Sequence, residues 1–326
     1  MTRIIRALTT GVLLAAAGLL ALAPAQAQTY PTKLIRLVEP AGPGSAVDVF
    51  ARQYAPMLAE ALGQQVIIDN RAGANSAIGA REVARATPDG YTLLHGNINN
   101  SLNDLLSADA CCRLNEALIP VARMTVTPLV MVVNAGVDAK DLAAYLALAK
   151  AQPQLLTFAS GGPGSITQLL GEKFKRTAGV NMREIPYKAI GAELPDLLAG
   201  HVMTAFLSPV VVKEHLKTGK LRALGVASSK RLQIIPAVPT LGEAGLTGVE
   251  ASGWNGLFVP AGTPRPVIAR LAAETAKILA SPAIKADAAT SGYELDAAGP
   301  EEFAAYVRAE IDKWGKVIKD ANIKIE

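Results

Sequence analysis

The stretch Leu37-Val38-Glu39-Pro40-Ala41-Gly42-Pro43-Gly44-Ser45-Ala46-Val47-Asp48 reads as a strand end, a tight turn and a helix start. Lys33–Val38 before it is apolar and β-prone. After it, Phe50, Tyr54, Met57 and Leu58 recur at helical spacing, which predicts a helix over Ser45–Leu62. Glycine lets the backbone turn sharply and approach a ligand closely. Serine at a helix start is a good N-cap. The first N–H groups of a helix have no partner within it and carry the positive end of its dipole, so such an end suits an anion. The same arrangement returns as Gly162-Pro163-Gly164-Ser165, after a predicted strand over Leu156–Ala159 and before a predicted helix over Ser165–Ala178. Taken singly, each tetrad is an ordinary strand-to-helix turn. Two in equivalent places, one per half of the chain, suggest a ligand held between two helix starts, because open α/β sheets bind ligands at the carboxyl ends of their strands. Asp48, one turn into the first helix, is expected to stay ionised beside the helix N-terminus and to accept hydrogen bonds from a ligand group or water.

Outward from these tetrads the alternation of strand and helix continues. Strands are predicted at Gln65–Asp69, Tyr91–Leu94, Pro128–Val133, Glu184–Tyr187, Met203–Ser208, Leu221–Ala227 and Gly256–Val259. Helices are predicted at Ser76–Ala86, Asp138–Ala151, Ala189–Ala199, Pro264–Ala280 and Pro300–Asp320. This pattern argues for an α/β protein with parallel sheets flanked by helices.

The N-terminus reads as a secretory signal peptide over residues 1–27: Arg3 and Arg6, an apolar run over Gly11–Ala23, and small residues in Ala25-Gln26-Ala27. Cleavage after Ala27 and a periplasmic location are expected. The apolar run falls short of the about 20 residues that span a bilayer. Its removal lowers the formal net charge of +4 by two, which leaves no electrostatic case for nucleic acid. The remaining length suggests two domains. Cys111 and Cys112 are the only cysteines, and either a vicinal disulfide or a free pair is compatible with their adjacency. The histidines His95, His201 and His215 lack metal-ligand spacing, so neither metal nor cofactor is expected. Nucleophile elbow, phosphate loop and zinc-protease motifs are absent. No enzymatic activity is therefore expected.

From about Tyr30 to the C-terminus the chain resembles the substrate-binding proteins of tripartite tricarboxylate transporters, the Bug or TctC receptors. The resemblance rests on Pro40–Asp48 with Ala51-Arg52, Asp69–Ala74, Ala86–Leu94, Ala159–Ser165, Ile185–Lys188, Gly219–Leu224, Val238–Leu241, Trp254–Gly256 and Pro260–Pro264, in that order. It implies a two-domain Venus flytrap of the type II periplasmic binding class, each domain a mixed, mostly parallel sheet flanked by helices. Residues 28–128 and 250–326 would form domain 1 and residues 129–249 domain 2. It further implies a small carboxylate as ligand, the membrane permease subunits of such a transporter as partners, and a monomer. The cleft would be lined by Gly42, Pro43, Gly44, Ser45, Val47, Asp48, Asn75, His95, Ser160, Gly161, Gly162, Gly164, Ser165, Ile166, Tyr187 and Ser208. Val47, Gln168, Ala189 and Met203 depart from the residues usual in that family and leave the ligand's identity open. A sensor that signals to a kinase, or a small-acid hydrolase on the same fold, are the competing readings.

Overall fold

The computed structural model describes residues 30–106, 114–188 and 192–320. The signal-peptide segment, the Cys111-Cys112 pair and Ala189 lie outside them. Among the described residues eleven strands fall into two sheets. Strands β1 (Ile35–Glu39), β2 (Val66–Asn70), β3 (Thr92–Asn97) and β4 (Leu118–Pro128) belong to the first. Strands β5 (Val130–Asn134), β6 (Thr157–Ser160), β7 (Arg183–Pro186), β8 (Thr204–Leu207) and β9 (Leu221–Val226) form the second. The chain then returns to the first sheet as β10 (Ser252–Pro260) and β11 (Glu294–Ala298). The first sheet runs β11-β4-β10-β3-β1-β2 and the second β7-β6-β8-β5-β9.

The helices on the first part of the chain are α1 (Ala46–Leu62), α2 (Ala77–Ala84), α3 (Ile98–Leu106) and α4 (Leu114–Ala117). Those joining the second sheet's strands are α5 (Leu142–Ala151), α6 (Ile166–Ala178), α7 (Leu194–Ala199) and α8 (Pro209–Lys217). Three more close the chain: α9 (Arg265–Ala280), α10 (Pro282–Ser291) and α11 (Pro300–Asp320).

Both sheets are mixed, as expected, but less parallel than the alternating pattern implied. In the first, β1 pairs β2 and β3 in parallel, while β10 and β4 run antiparallel to their neighbours. In the second, β6 is parallel to β7 and β8, and β5 antiparallel to β8 and β9. The reason is the route of the chain. β4 passes into β5 through the single residue Leu129, and β9 returns to β10 through residues 227–251, neither with a crossover helix of the kind that makes neighbours parallel.

Where the two passages meet, a ring of main-chain hydrogen bonds joins them, with the side chains of Leu129, Ala227 and Ala251 buried in the apolar core. Leu129 donates its N–H to the Ala251 carbonyl, Ala251 donates to Ala227, and Ala227 donates to Leu129, at 2.8–3.2 Å. Side-chain alternation covers the second sheet on both faces. Met131, Val133, Phe158 and Phe206 point into one apolar cluster, and Val130, Val132, Ala159, Ala205 and Leu207 into another. The first cluster also takes Val38, Leu94 and Phe258 from the other sheet, and Phe303, Val307 and Trp314 from α11. That long helix thus packs on both halves of the molecule.

Candidate ligand-binding site

The two Gly-Pro-Gly-Ser tetrads follow β1 and β6 and open α1 and α6. Their local structure matches from the second glycine onward, while at the first glycine Gly162 takes a positive φ and Gly42 does not. Ser45 and Ser165 are the N-caps, in extended conformation, and their hydroxyls accept the N–H groups of Asp48 (3.3 Å) and Gln168 (3.2 Å). The N–H groups of Ser45 and Ser165 turn back onto the carbonyls of Gly42 and Gly162. Gly44 and Gly164 have φ of +81° and +75°, which side-chain-bearing residues adopt only at a cost.

The third helical residue then reaches back over the cap in both loops. Asp48 accepts the Gly44 N–H at 2.8 Å, and Gln168 accepts the Gly164 N–H at 2.7 Å. The glycine N–H groups are therefore spent inside their own loops. The donors left are one step further into the helices. Among the described residues the N–H groups of Ala46, Val47 and Thr167 make no hydrogen bond, while that of Ile166 meets Asn99 Oδ1 at 3.4 Å. Thr167 is wholly buried, and a buried backbone N–H without a partner is rare.

Asp48 differs from its expected role. Its carboxylate is buried and receives the Arg52 Nε–H (2.8 Å), an Arg52 Nη2–H (3.0 Å), an Asn70 Nδ2–H (2.8 Å) and the Gly44 N–H. Both oxygens are occupied by the protein, so Asp48 fixes the loop and presents no acceptor to a ligand. Burial by itself would raise its pKa. The hydrogen bonds from Arg52, Asn70 and Gly44, with the Arg52 charge, outweigh burial and hold it below the usual carboxylate range.

The second loop is braced by Glu184 on β7. Its Oε1 accepts the Ser160 hydroxyl (2.5 Å) and its Oε2 the Gln168 amide (3.1 Å). Ser160 Oγ in turn accepts the Gly162 N–H, and Thr167 Oγ1 accepts the Gly161 N–H. Gly162, at φ +90°, leaves no room for a side chain, since a Cβ there would stand 2.8 Å from the Tyr187 carbonyl.

The remaining expected residues divide. Asn75 comes directly to the second loop, donating from Nδ2 to the Gly164 carbonyl at 3.1 Å. Val47 is partly exposed and adjoins the unpartnered donors. The backbone of Tyr187 packs on Gly162, but its hydroxyl donates to Asp196 at 2.7 Å. Burial first, and then the Asp196 carboxylate, push the phenol up to about 12. His95 is fully buried beneath the first loop, its Nδ1 2.6 Å from Glu39 and its ring stacked on Phe50. Ser208 ends β8 and opens α8 with its hydroxyl buried and unpartnered. Sequence reasoning gave no role to Arg52, Asn70, Asn99, Thr167 or Glu184. Only Arg52 had a legible signal, a cation one helical turn after Asp48. Among the described residues no group of three or more His, Cys, Asp or Glu is placed to hold a metal, and no helix is long and apolar enough to cross a membrane.

Two mixed sheets, each with a strand that runs through a glycine-rich turn into a serine-capped helix, are the two-domain α/β architecture of periplasmic binding proteins. The profile of the tripartite tricarboxylate transporter family receptor, TctC, matches residues 50–323, and the chain belongs to that family. BugT of Bordetella pertussis is 35% identical over the whole of this chain and 99% of its own length. Among solved structures, the R. palustris protein Rpa4515 with adipate superposes with a TM-score of 0.86 at 31% identity, over 90% of this chain and 99% of that one. MatC from Rhodopseudomonas palustris with bound malate gives 0.82 at 29% identity, over 89% and 100%. The periplasmic binding protein BugD gives 0.84 at 28% identity, over 91% and 100%.

Proposed function

We propose that this chain is an extracytoplasmic solute receptor that binds a small carboxylate and delivers it to the permease subunits of a tripartite tricarboxylate-type transporter. One observation carries the reading. Two helices that follow strands of different sheets begin with the same serine cap, both leave first-turn N–H groups unpaired, and Asn75 reaches across to the second of the two loops. A carboxylate reaching Ala46 and Val47 on one side and Thr167 on the other satisfies donors from both halves at once. Each charge-assisted hydrogen bond contributes roughly 1.5–3 kcal/mol. Three or four supply most of the about 8 kcal/mol of a micromolar complex. The malate and adipate held by the two R. palustris relatives support the same ligand class.

In this reading the lobes are residues 28–128 with 250–326, and residues 129–249, and the change of sheet at Leu129 supports that division. The receptor works as a periplasmic monomer after cleavage behind Ala27. It releases its ligand unchanged. The cleft is built from residues 42–48, Asn75, residues 160–167 and the neighbouring Ser208. Calorimetry on refolded, ligand-free protein tests the reading with a carboxylate panel and the matching amides. Binding of an acid with loss of binding for its amide is expected. Equal affinity for the amide sinks the carboxylate clamp.

A further inference from the structure

Residues Ala74, Asn75 and Ser76 have φ of +46°, +50° and +73°, three successive non-glycine residues in the left-handed region. Such a run is costly and persists only where its surroundings hold it. Here asparagines from the end of β3 and from α3 do so. Asn103 Nδ2 donates to the Asn75 carbonyl at 2.6 Å, Asn100 Nδ2 to the Ser76 carbonyl at 3.0 Å, and Asn97 Nδ2 to the Ser76 hydroxyl at 3.2 Å. Asn100 and Asn97 are buried, and Asn97 Oδ1 also caps the Asn99 N–H at 3.0 Å.

What this frame presents is a pair of carboxamides aimed at the other sheet's loop. Asn75 gives its N–H to the Gly164 carbonyl, and Asn99 takes the Ile166 N–H. Neither contact involves a ligand. Both join elements of the first sheet to the loop after β6, and both reach main-chain groups that stay in place because Gln168, Ser165 and Glu184 brace that loop.

We propose that Asn75 and Asn99 form a latch that holds the two lobes together before ligand arrives. The receptor then spends part of its ligand-free time closed, and the latch sets that share. A ligand that prefers the closed state binds more tightly as the closed share grows. Asn75 and Asn99 are in this sense positioning residues for the binding step. The proposal rests on the carboxylate-clamp reading only for its effect on affinity.

Asn75→Gly separates the latch from the fold. Glycine adopts positive φ without cost, so the backbone of residues 74–76 keeps its path while the side chain is lost. Small-angle scattering of refolded, ligand-free protein is the direct measurement. The wild type is expected to contain a closed component, and Asn75→Gly with Asn99→Ala to shift to a larger radius of gyration, with the melting temperature unchanged or raised. The adipate and malate affinities of the double variant, where wild type binds these probes, should fall by roughly tenfold, the factor one or two modest hydrogen bonds carry. A scattering curve unchanged by the double substitution overturns the latch, as does a wild type that is wholly open. If the curves differ but no acid of the carboxylate panel binds either protein, the latch stands and the carboxylate reading fails, because scattering needs no ligand.

Discussion

The loop after β1 and the loop after β6 have the same four residues and the same cap, but they are supported in different ways. Behind the first stands a charge: Asp48, paired with Arg52 and tied to Asn70. Behind the second stands a neutral amide, Gln168, with the carboxylate of Glu184 one step further back. Space differs as well. A Cβ at Gly42 meets nothing within 4 Å, whereas one at the equivalent Gly162 collides with the Tyr187 main chain. The lesson is that a helix start needs a particular geometry of acceptors, and that charged and neutral side chains can supply it equally well. They differ in how the result responds to substitution and to pH.

The comparison breaks hardest at the glycines. Gly162→Val combines a backbone collision with positive-φ strain and should weaken ligand binding by roughly a hundredfold, about 3 kcal/mol, measured by calorimetry. Gly42→Ala, at the equivalent position, meets neither a collision nor a positive φ and should change affinity by less than about 0.5 kcal/mol in the same titration. If the two lose affinity alike, crowding is not what separates the loops.

Next come the braces. Asp48→Ala leaves the Gly44 N–H, Asn70 and Arg52 without their buried acceptor and should destabilise the fold by about 2 kcal/mol. Arg52 is half exposed, so its own pairing adds little to that figure. Gln168→Ala removes one neutral acceptor and should cost about 1 kcal/mol. A larger loss at Gln168 than at Asp48 would reverse the assignment of the stronger brace.

The smallest effect is that of acid. The Asp48 carboxyl is held below its ordinary value. Its contribution is therefore complete above the unfolded-state pKa of about 4 and is lost as pH falls through the lower folded value. Gln168 does not titrate. Hydrogen exchange in the first turn of α1 should thus accelerate before that in α6 as pH drops below about 4. Asp48→Asn should abolish this acid response in α1, and an α1 response that survives the substitution would mean that Asp48 is not what acid releases there.

The same contrast explains what could be read in advance. The strand-turn-helix units were legible because glycine, proline and serine each act within a few residues. Which N–H groups remain free was not legible, since it depends on whether the side chains of Asp48 and Gln168 fold back over the cap. β4 was missed except for its final residue: proline at positions 120 and 128 and Arg123 within the run broke the strand pattern. The structure keeps all three in the ladder beside β10, with Arg123 buried against Asp296 and the Tyr306 ring. α3 was missed because three of its nine residues are asparagine, a residue that favours turns over helix interiors. Two of those carboxamides, Asn100 and Asn103, hold the Asn75-Ser76 main chain and the third, Asn99, reaches the second loop, so the poor helix former is also the informative residue. His95 illustrates the reverse case, a polar residue at a strand end that packs inward against Glu39.

The ring of bonds among Leu129, Ala227 and Ala251 involves peptide groups alone. Every amino acid except proline can contribute such a group, so descent can rewrite the sequence around this junction without dismantling it. Relatives only 28–31% identical keep the architecture at TM-scores of 0.82–0.86. A junction made of main chain lets a lineage exchange the side chains of its surfaces while inheriting the same frame.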